Sequence, residues 1–170
     1  MNKQSLLGGC ALVLLAAAPL FAQNSVRSAG EKISGAAYRE YSAQAYGNSA
    51  YTNAAALDQY ARSYSYIPAE TAQEHVGEVN RNVTSAKKEL SKLDAKAKNN
   101  KVLAKHLETI HGHYNKALEH ANAVGKEADK NDKADASKLT TSTKGMTDSL
   151  KAAEAEHKKL SEHLKSTDAK

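Results

Sequence analysis

Histidine is the residue type in this chain with the widest range of possible chemistry. Four of the seven histidines fall between residues 106 and 120, in the segment HLETIHGHYNKALEH. An imidazole can bind a transition metal, ligate haem, or carry a proton near neutral pH. Three roles are therefore open for this segment: a metal site, a haem ligand, or a histidine-flanked helix that only packs.

The elements that position these histidines are predicted by apolar residues spaced alternately three and four apart, as in a helix that buries one stripe. The phase of this pattern breaks at Asn99-Asn100 and again at residues 130–132, which predicts three helices joined by two turns. The three runs are Val76, Val79, Val83, Ala86, Leu90, Leu93 and Ala97; Leu103, Leu107, Ile110, Tyr114, Ala117, Ala121, Val124 and Ala128; and Leu139, Thr143, Met146, Leu150, Ala153, His157, Leu160 and Leu164.

In heptad lettering, five histidines share position g, immediately before an a residue: His75, His106, His113, His120 and His163. A g residue lies at the half-buried border of the stripe, where one edge of the ring packs and one nitrogen meets water. We expect border histidines to keep a pKa of about 6.5. His157 occupies an a position itself, where a polar residue sets register at some cost in stability.

Metal binding by these histidines is limited by their spacing. Neighbouring g positions on one helix are roughly 10 Å apart along the axis, whereas two imidazoles on one ion bring their nitrogens to about 2 Å from it. His106, His113 and His120 therefore cannot share an ion. A Zn, Cu or Ni site would need a ligand from another helix, such as His75, His157 or His163.

Two tetrads of the Glu-x-x-His form, ETIH at 108–111 and EAEH at 154–157, resemble the ligand motif of ferritin-like di-iron bundles. The heptad register places Glu108 at b, on the outer side of its helix, away from an interior ion. His157 resembles the last-helix haem ligand of four-helix b-type cytochromes. The methionine ligand of that family has no counterpart on the first helix, because Met146 shares a helix with His157.

The N-terminus has the form of a secretory signal: Lys3, the apolar run LLGGCALVLLAAAPLF, and the small residue Ala22 before polar residues. Cleavage there predicts a mature chain that starts at Gln23, lies in the bacterial periplasm or outside the cell, and has no transmembrane helix. It would also remove Cys10, the single cysteine, and with it any thiol chemistry. The alternative is a lipoprotein box ending in a lipidated Cys10.

The distribution of charge and the absence of catalytic motifs narrow the range of possible functions. Without Lys3, 23 basic residues face 19 acidic ones, and their signs alternate along KKELSKLDAKAKNNK and EHKKLSEHLK. Nucleic-acid binding needs a concentrated basic surface, which this pattern lacks. Glycine-rich phosphate loops, nucleophile elbows and HExxH helices are also missing from the sequence. We therefore expect a non-enzymatic protein without a nucleic-acid partner.

The segment before residue 68 differs in composition, since it carries seven of the eight tyrosines among Ala, Ser, Asn and Gly. Its apolar spacing predicts one or two weaker helices whose tyrosine face covers the three-helix stripe. A flexible arm is the alternative. Thr71 with Glu74 has the form of a capping box, and Asp135 or Ser137 is placed to cap the third helix.

Together these patterns predict an all-α protein, an antiparallel helical bundle. It comprises a signal peptide at 1–22, a Tyr/Ala-rich helical or flexible segment at 23–68, and a three-helix region at 69–170. The expected role is structural or in protein interaction at the cell envelope, with a helical partner or with copies of itself. The alternative is transition-metal binding or sequestration in the periplasm through interhelical histidines.

Overall fold

The computed structural model of the protein describes residues 35–168. The expected signal peptide, Cys10 and the start at Gln23 lie outside these residues. Within them the protein is all-α apart from one two-stranded sheet. The elements in chain order are α1 (Gly35–Ser63), β1 (Tyr66–Pro68), α2 (Ala69–Ser91), α3 (Asp94–Ala97), α4 (Lys101–Ala128), β2 (Lys133–Asp135) and α5 (Ala136–Asp168).

The four long helices surround one hydrophobic core. α1 packs against α2 and α5, and α4 packs against the same two helices. Every residue of the second and third apolar runs is buried, and so is the first run from Val76 to Leu93. Burying each Val or Leu side chain contributes about 1.5–3 kcal/mol, so these three faces supply most of the core. Of the helices in residues 35–168, none is long and apolar enough to span a membrane.

The tyrosine-rich segment forms one continuous 29-residue helix from Gly35. The expectation that its tyrosines cover the core holds only in part: Tyr51 and Tyr60 are partly buried against it, whereas Tyr38, Tyr41 and Tyr64 are 50%, 42% and 60% exposed. A bulky ring would hold α1 away from its neighbours, whereas small residues let its backbone approach them closely. Its buried face instead consists of Ala36, Glu40, Ala43, Ala50, Ala54, Leu57 and Ala61.

The sequence did not predict the sheet, which ties two interhelical connections together at one end of the molecule. β1 pairs with β2 in antiparallel register, with Ile67 opposite Ala134, and both side chains are buried. Two further backbone hydrogen bonds flank the pair, from Ala69 N to the Asp132 carbonyl and from Ala136 N to the Ser65 carbonyl.

The helix starts agree only partly with the caps expected from the sequence. The Asp135 carboxylate accepts a hydrogen bond from Ser137 N at 3.0 Å, as expected of a cap on α5. The capping box at Thr71 is wrong, because α2 begins two residues earlier, after Pro68. Proline suits that boundary because Pro68 precedes the first helical residue, where its missing N–H breaks no helical hydrogen bond. Asn100 caps α4 by accepting from Val102 N and Leu103 N.

Candidate functional site

The most unusual polar group in the core joins three helices. Tyr114 of α4, His157 of α5 and Glu40 of α1 are at most 2% exposed. The Tyr114 Oη lies 2.9 Å from His157 Nε2, and His157 Nδ1 lies 3.2 Å from Glu40 Oε1. We call these three residues the buried triad.

The direction of the hydrogen bonds in the buried triad follows from its chemistry. An ionised carboxylate only accepts, so His157 Nδ1 carries a proton and donates it to Glu40. The second hydrogen bond joins Nε2 of the same ring to the Tyr114 hydroxyl. Burial, and secondarily the charge of Glu40, raises the pKa of Tyr114 well above its ordinary value, so the phenol remains a donor. Both ring nitrogens of His157 therefore find their hydrogen-bond partners inside the protein.

Gly47 makes room for Tyr114. A Cβ atom at Gly47 would overlap the Tyr114 hydroxyl, so the ring lies directly against the backbone of α1. Glycine within a helix lowers stability by about 1 kcal/mol relative to alanine. At this position the glycine is needed because any side chain would take the space of the Tyr114 hydroxyl. The buried triad therefore depends on a fourth residue that makes no hydrogen bond to it.

His111 lies beside the buried triad on α4. It is half-buried, and burial lowers its pKa; Asp94 opposes this effect, while Lys87 and His157 add to it. Its tetrad partner Glu108 is exposed, as its b position predicts.

A second histidine group lies at the surface between α4 and α5. The Nδ1 of His106 is 2.6 Å from Glu156 Oε1, and the rings of His106 and His163 have centroids 6.0 Å apart. His163 Nε2 also lies 3.1 Å from the Asn100 side-chain nitrogen. We call His106, Glu156 and His163 the surface cluster.

His106 and Glu156 of the surface cluster line an open groove of about 680 Å³ that Lys101, Lys105 and Lys159 also line. Desolvation alone would raise the pKa of Glu156, but hydrogen bonds from Lys159 and His106 outweigh it and lower that pKa. The carboxylate is therefore held ionised between two cationic or proton-donating partners.

The remaining predicted histidines lie apart from these groups. His75 lies between α2 and α1, where Nδ1 is 3.1 Å from the Asn53 side-chain oxygen. Burial lowers its pKa despite Glu74 and Glu78, so the expectation of an ordinary value is wrong at this position. The His120 ring stands over Gly145 of α5, and His113 is half-buried on α4.

Among the six histidines proposed as metal ligands, His106 and His163 are the pair whose rings come into contact within residues 35–168. No set of three or more His, Cys, Asp or Glu in that range is arranged to hold a metal ion. The interhelical pairing expected for metal binding therefore has one geometrical candidate, the surface cluster.

Sequence reasoning identified His157 as a polar seam residue but missed its partners. Glu40 could have been found, because it lies on a stripe of small residues at three- and four-residue spacing, Ala36, Glu40, Ala43, Gly47, Ala50 and Ala54. Tyr114 was assigned to the core only as an apolar residue. Which residues meet across helices depends on helix pairing, which one sequence does not specify.

Comparison with known proteins returned no relatives: no family model, no curated protein and no solved structure matches this chain.

Proposed function

We propose that this protein is an exported, non-enzymatic, antiparallel helical bundle that acts at the cell envelope by binding a helical partner along α1. Export is supported by the signal-like residues 1–22, which end at Ala22 before a polar stretch. The binding role is supported chiefly by one observation, the uncharged outer surface of α1.

The antiparallel arrangement is supported by contacts between neighbouring helices. Arg39 near the start of α1 pairs with Glu89 near the end of α2, whereas Asn53 further along α1 meets His75 near the start of α2. Contacts between α4 and α5 also show an antiparallel order, since His106 meets Glu156 and, further along α4, His120 meets Gly145 nearer the start of α5.

The surface proposed to bind the partner is the side of α1 that faces away from α2 and α5. Seventeen consecutive residues, Tyr41 to Leu57, include no charged side chain. We call this surface the outer face of α1; its residues are Tyr38, Tyr41, Ser42, Ala45, Asn48, Ser49, Thr52, Ala56, Gln59 and Ser63.

The other long helices present a different surface. Each carries exposed Lys, Arg, Asp or Glu along its length, as in Lys101, Lys105, Glu108, Lys116, Glu119 and Lys126 of α4. Charged residues are depleted at the centres of protein interfaces, while tyrosine is enriched there. The outer face of α1 lacks charged side chains and includes Tyr38 and Tyr41, and these two features favour a protein partner.

A non-enzymatic role is supported by the position of the buried triad. Its Glu, His and Tyr resemble a proton relay in composition, but their exposed fractions of 0–2% leave no approach for a substrate. A catalytic base must come within hydrogen-bond reach of the proton that it abstracts. The triad is better suited to fixing how three helices pair.

In-cell photo-crosslinking tests the binding role. A photoreactive phenylalanine at Tyr41 is expected to give a discrete covalent adduct, while the same residue at the exposed Lys116 of α4 gives none. Absence of an adduct at Tyr41, or equal labelling at both positions, would contradict the proposal. Mass spectrometry of the purified product tests export, with Gln23 expected at the N-terminus and a diacylglyceryl Cys10 as the contrary result.

A second candidate function, transition-metal binding in the periplasm, is favoured by the surface cluster. Two imidazoles on one tetrahedral ion have ring centroids about 5 Å apart, close to the 6.0 Å between His106 and His163. His106 already holds Glu156 through Nδ1, the arrangement in which a carboxylate orients a metal-binding imidazole.

Thermal melts of the tagless protein test this candidate. Zn(II) or Cu(II) would stabilise the fold near pH 7 by RT ln(1 + [L]/Kd), about 2.7 kcal/mol at a hundredfold excess over Kd. The gain would vanish near pH 5, where protonated imidazole does not ligate. It should be abolished by His163→Ala and retained in His113→Ala, and the absence of a metal-dependent shift would exclude the candidate.

A further inference from the structure

We propose that the end of the bundle where α2 connects to α4 binds the phosphate headgroups of an anionic lipid surface. This surface is separate from the outer face of α1, so the inference does not depend on a helical partner there. It starts from the distribution of charge along the chain. Between residues 87 and 105 there are seven lysines and two acidic residues, Glu89 and Asp94. We call these lysines the lysine cluster: Lys87, Lys88, Lys92, Lys96, Lys98, Lys101 and Lys105.

The lysine cluster accounts for the net charge of the whole protein. The chain has 24 basic and 19 acidic residues, so 17 of each sign remain when the cluster and its two acidic neighbours are set aside. The formal net charge of +5 therefore equals the excess within this one stretch. The alternation of signs along the sequence conceals this excess of positive charge.

The fold holds the lysine cluster at one end of the bundle. Its members lie in the last two turns of α2, in α3 and the connections beside it, and in the first two turns of α4. The same end contains the start of α1 and the C-terminal half of α5, since Arg39 pairs with Glu89 and His106 with Glu156.

Most of the lysine cluster is not neutralised within the protein. Lys87 donates to the Asn115 side chain, and Lys92 pairs with Glu89. Like charges gathered on one surface raise the local concentration of anions. This end of the bundle therefore attracts an anionic partner. The remaining five are exposed and form no ion pair with any residue between 35 and 168: Lys88, Lys96, Lys98, Lys101 and Lys105.

The groove beside the surface cluster provides a place for one phosphate group. Lys101 and Lys105 line it from α4, one helical turn apart, and Lys159 lines it from α5. Glu156 also lines the groove, but it is already bonded to His106 at 2.6 Å and to Lys159 at 2.9 Å. Three ammonium groups thus face one carboxylate, and lysine ammonium groups bind phosphate oxygens as compact point charges.

Two further features favour a lipid surface over a nucleic acid. Val102 lies in the groove between Lys101 and Lys105 and is 50% exposed, so an apolar side chain stands among the charges. Lysines beside an exposed apolar residue are typical of attachment to the boundary between lipid headgroups and acyl chains. The lysine cluster also contains no arginine, the residue that most often reads base edges.

Co-sedimentation of the purified protein with lipid vesicles tests the proposal. The protein is expected to bind vesicles of phosphatidylcholine mixed with phosphatidylglycerol, not pure phosphatidylcholine, and salt should weaken this binding. Each lysine near an anionic surface strengthens binding about fivefold. The double variant Lys101→Gln, Lys105→Gln should therefore bind at least about tenfold more weakly. Val102→Ser, which changes no charge, should also weaken binding.

A matched double variant controls for net charge. Lys116→Gln, Lys126→Gln removes the same two charges from exposed positions further along α4, outside the groove. It should bind anionic vesicles within about twofold of the wild type, because its positions lie beyond the lysine cluster. Circular dichroism checks that all variants fold. Equal losses in the two double variants, or a wild type that ignores anionic vesicles, would overturn the proposal.

Two competitors identify the source of the phosphate. Inorganic phosphate, exchanged for chloride at constant ionic strength, should leave the protein on the vesicles; its release would assign the groove to free phosphate and reject a lipid surface. A DNA duplex at the same ionic strength should bind more weakly than the vesicles, and tighter binding would assign the lysine cluster to nucleic acid. Neither result bears on the crosslink expected at Tyr41, so the proposed function is tested separately.

Discussion

Single residues determine how the core of this protein is held. Glu40, His157 and Tyr114 place polar atoms where the surrounding side chains are apolar, and each atom finds a partner on another helix. Such groups contribute little net stability compared with apolar residues of the same size, but they penalise every other pairing of the helices. We therefore expect the buried triad to act at the residue scale as a determinant of register.

The coupling within the buried triad can be measured. Glu40→Leu or His157→Leu alone leaves a buried polar partner unsatisfied and is expected to lower the free energy of unfolding by about 3–5 kcal/mol. The double variant should lose less than the sum of the two, because neither residue is then left unpaired. Urea denaturation of the four proteins gives the coupling energy, and additive losses would show that the pair does not interact as described.

Gly47 and Gly112 form a matched pair of helical glycines. At Gly47 a methyl group overlaps the Tyr114 hydroxyl, whereas at Gly112 nothing lies within 4 Å of an added Cβ. Gly47→Ala should therefore cost about 1–3 kcal/mol through overpacking, while Gly112→Ala should gain up to about 1 kcal/mol of helix propensity. Thermal unfolding measures both changes, and Tyr114→Phe should relieve the first; equal effects at the two glycines would refute this packing.

At the scale of elements, the sequence predicted some helices better than others. α2, α4 and α5 bury valine and leucine stripes, so their apolar periodicity alone predicted their faces. α1 buries alanines, and the sequence does not distinguish a buried alanine from an exposed one. Its tyrosines suggested a buried face on the opposite side of the helix. The surface cluster was predicted only as single histidines, because the meeting of His106 with His163 depends on how α4 and α5 are aligned.

The buried alanine face of α1 can be tested by enlarging one of its residues. Ala50 is fully buried against the neighbouring helices, so Ala50→Leu should destabilise the protein by about 1–3 kcal/mol through overpacking. Ala123→Leu, an identical change at an exposed position of α4, should alter stability by less than about 0.5 kcal/mol. Chemical denaturation compares the two, and a tolerated Ala50→Leu would mean that α1 is packed more loosely than described.

For the whole molecule, histidine burial makes stability depend on pH. Burial lowers the pKa of His75, which faces Asn53 and Tyr60 of α1 and lies near Glu74 and Glu78. It also lowers the pKa of His111. The unfolded chain then binds protons more readily than the fold, so stability is full above about pH 6.5 and falls as the pH drops through the lowered values.

The double variant His75→Gln, His111→Gln should therefore lose less stability than the wild type between about pH 7.5 and pH 5.5. The lowered pKa values of Glu89 and Glu156 act in a separate window, below about pH 4.5. Urea denaturation across both windows separates the two effects. An unchanged slope in the upper window of the variant would assign the acid sensitivity to other groups.

The short pairing of β1 with β2 also bears on the order of folding and on local opening of the structure. It joins residues 66–68 to residues 133–135, across three helices and their connections. Closing so long a loop costs entropy that a few backbone hydrogen bonds and the burial of Ile67 and Ala134 oppose, so we expect this pairing to form after the helices that flank it have docked. The strands should open readily on their own, and their amide protons should exchange with solvent well before those at the centres of α4 and α5.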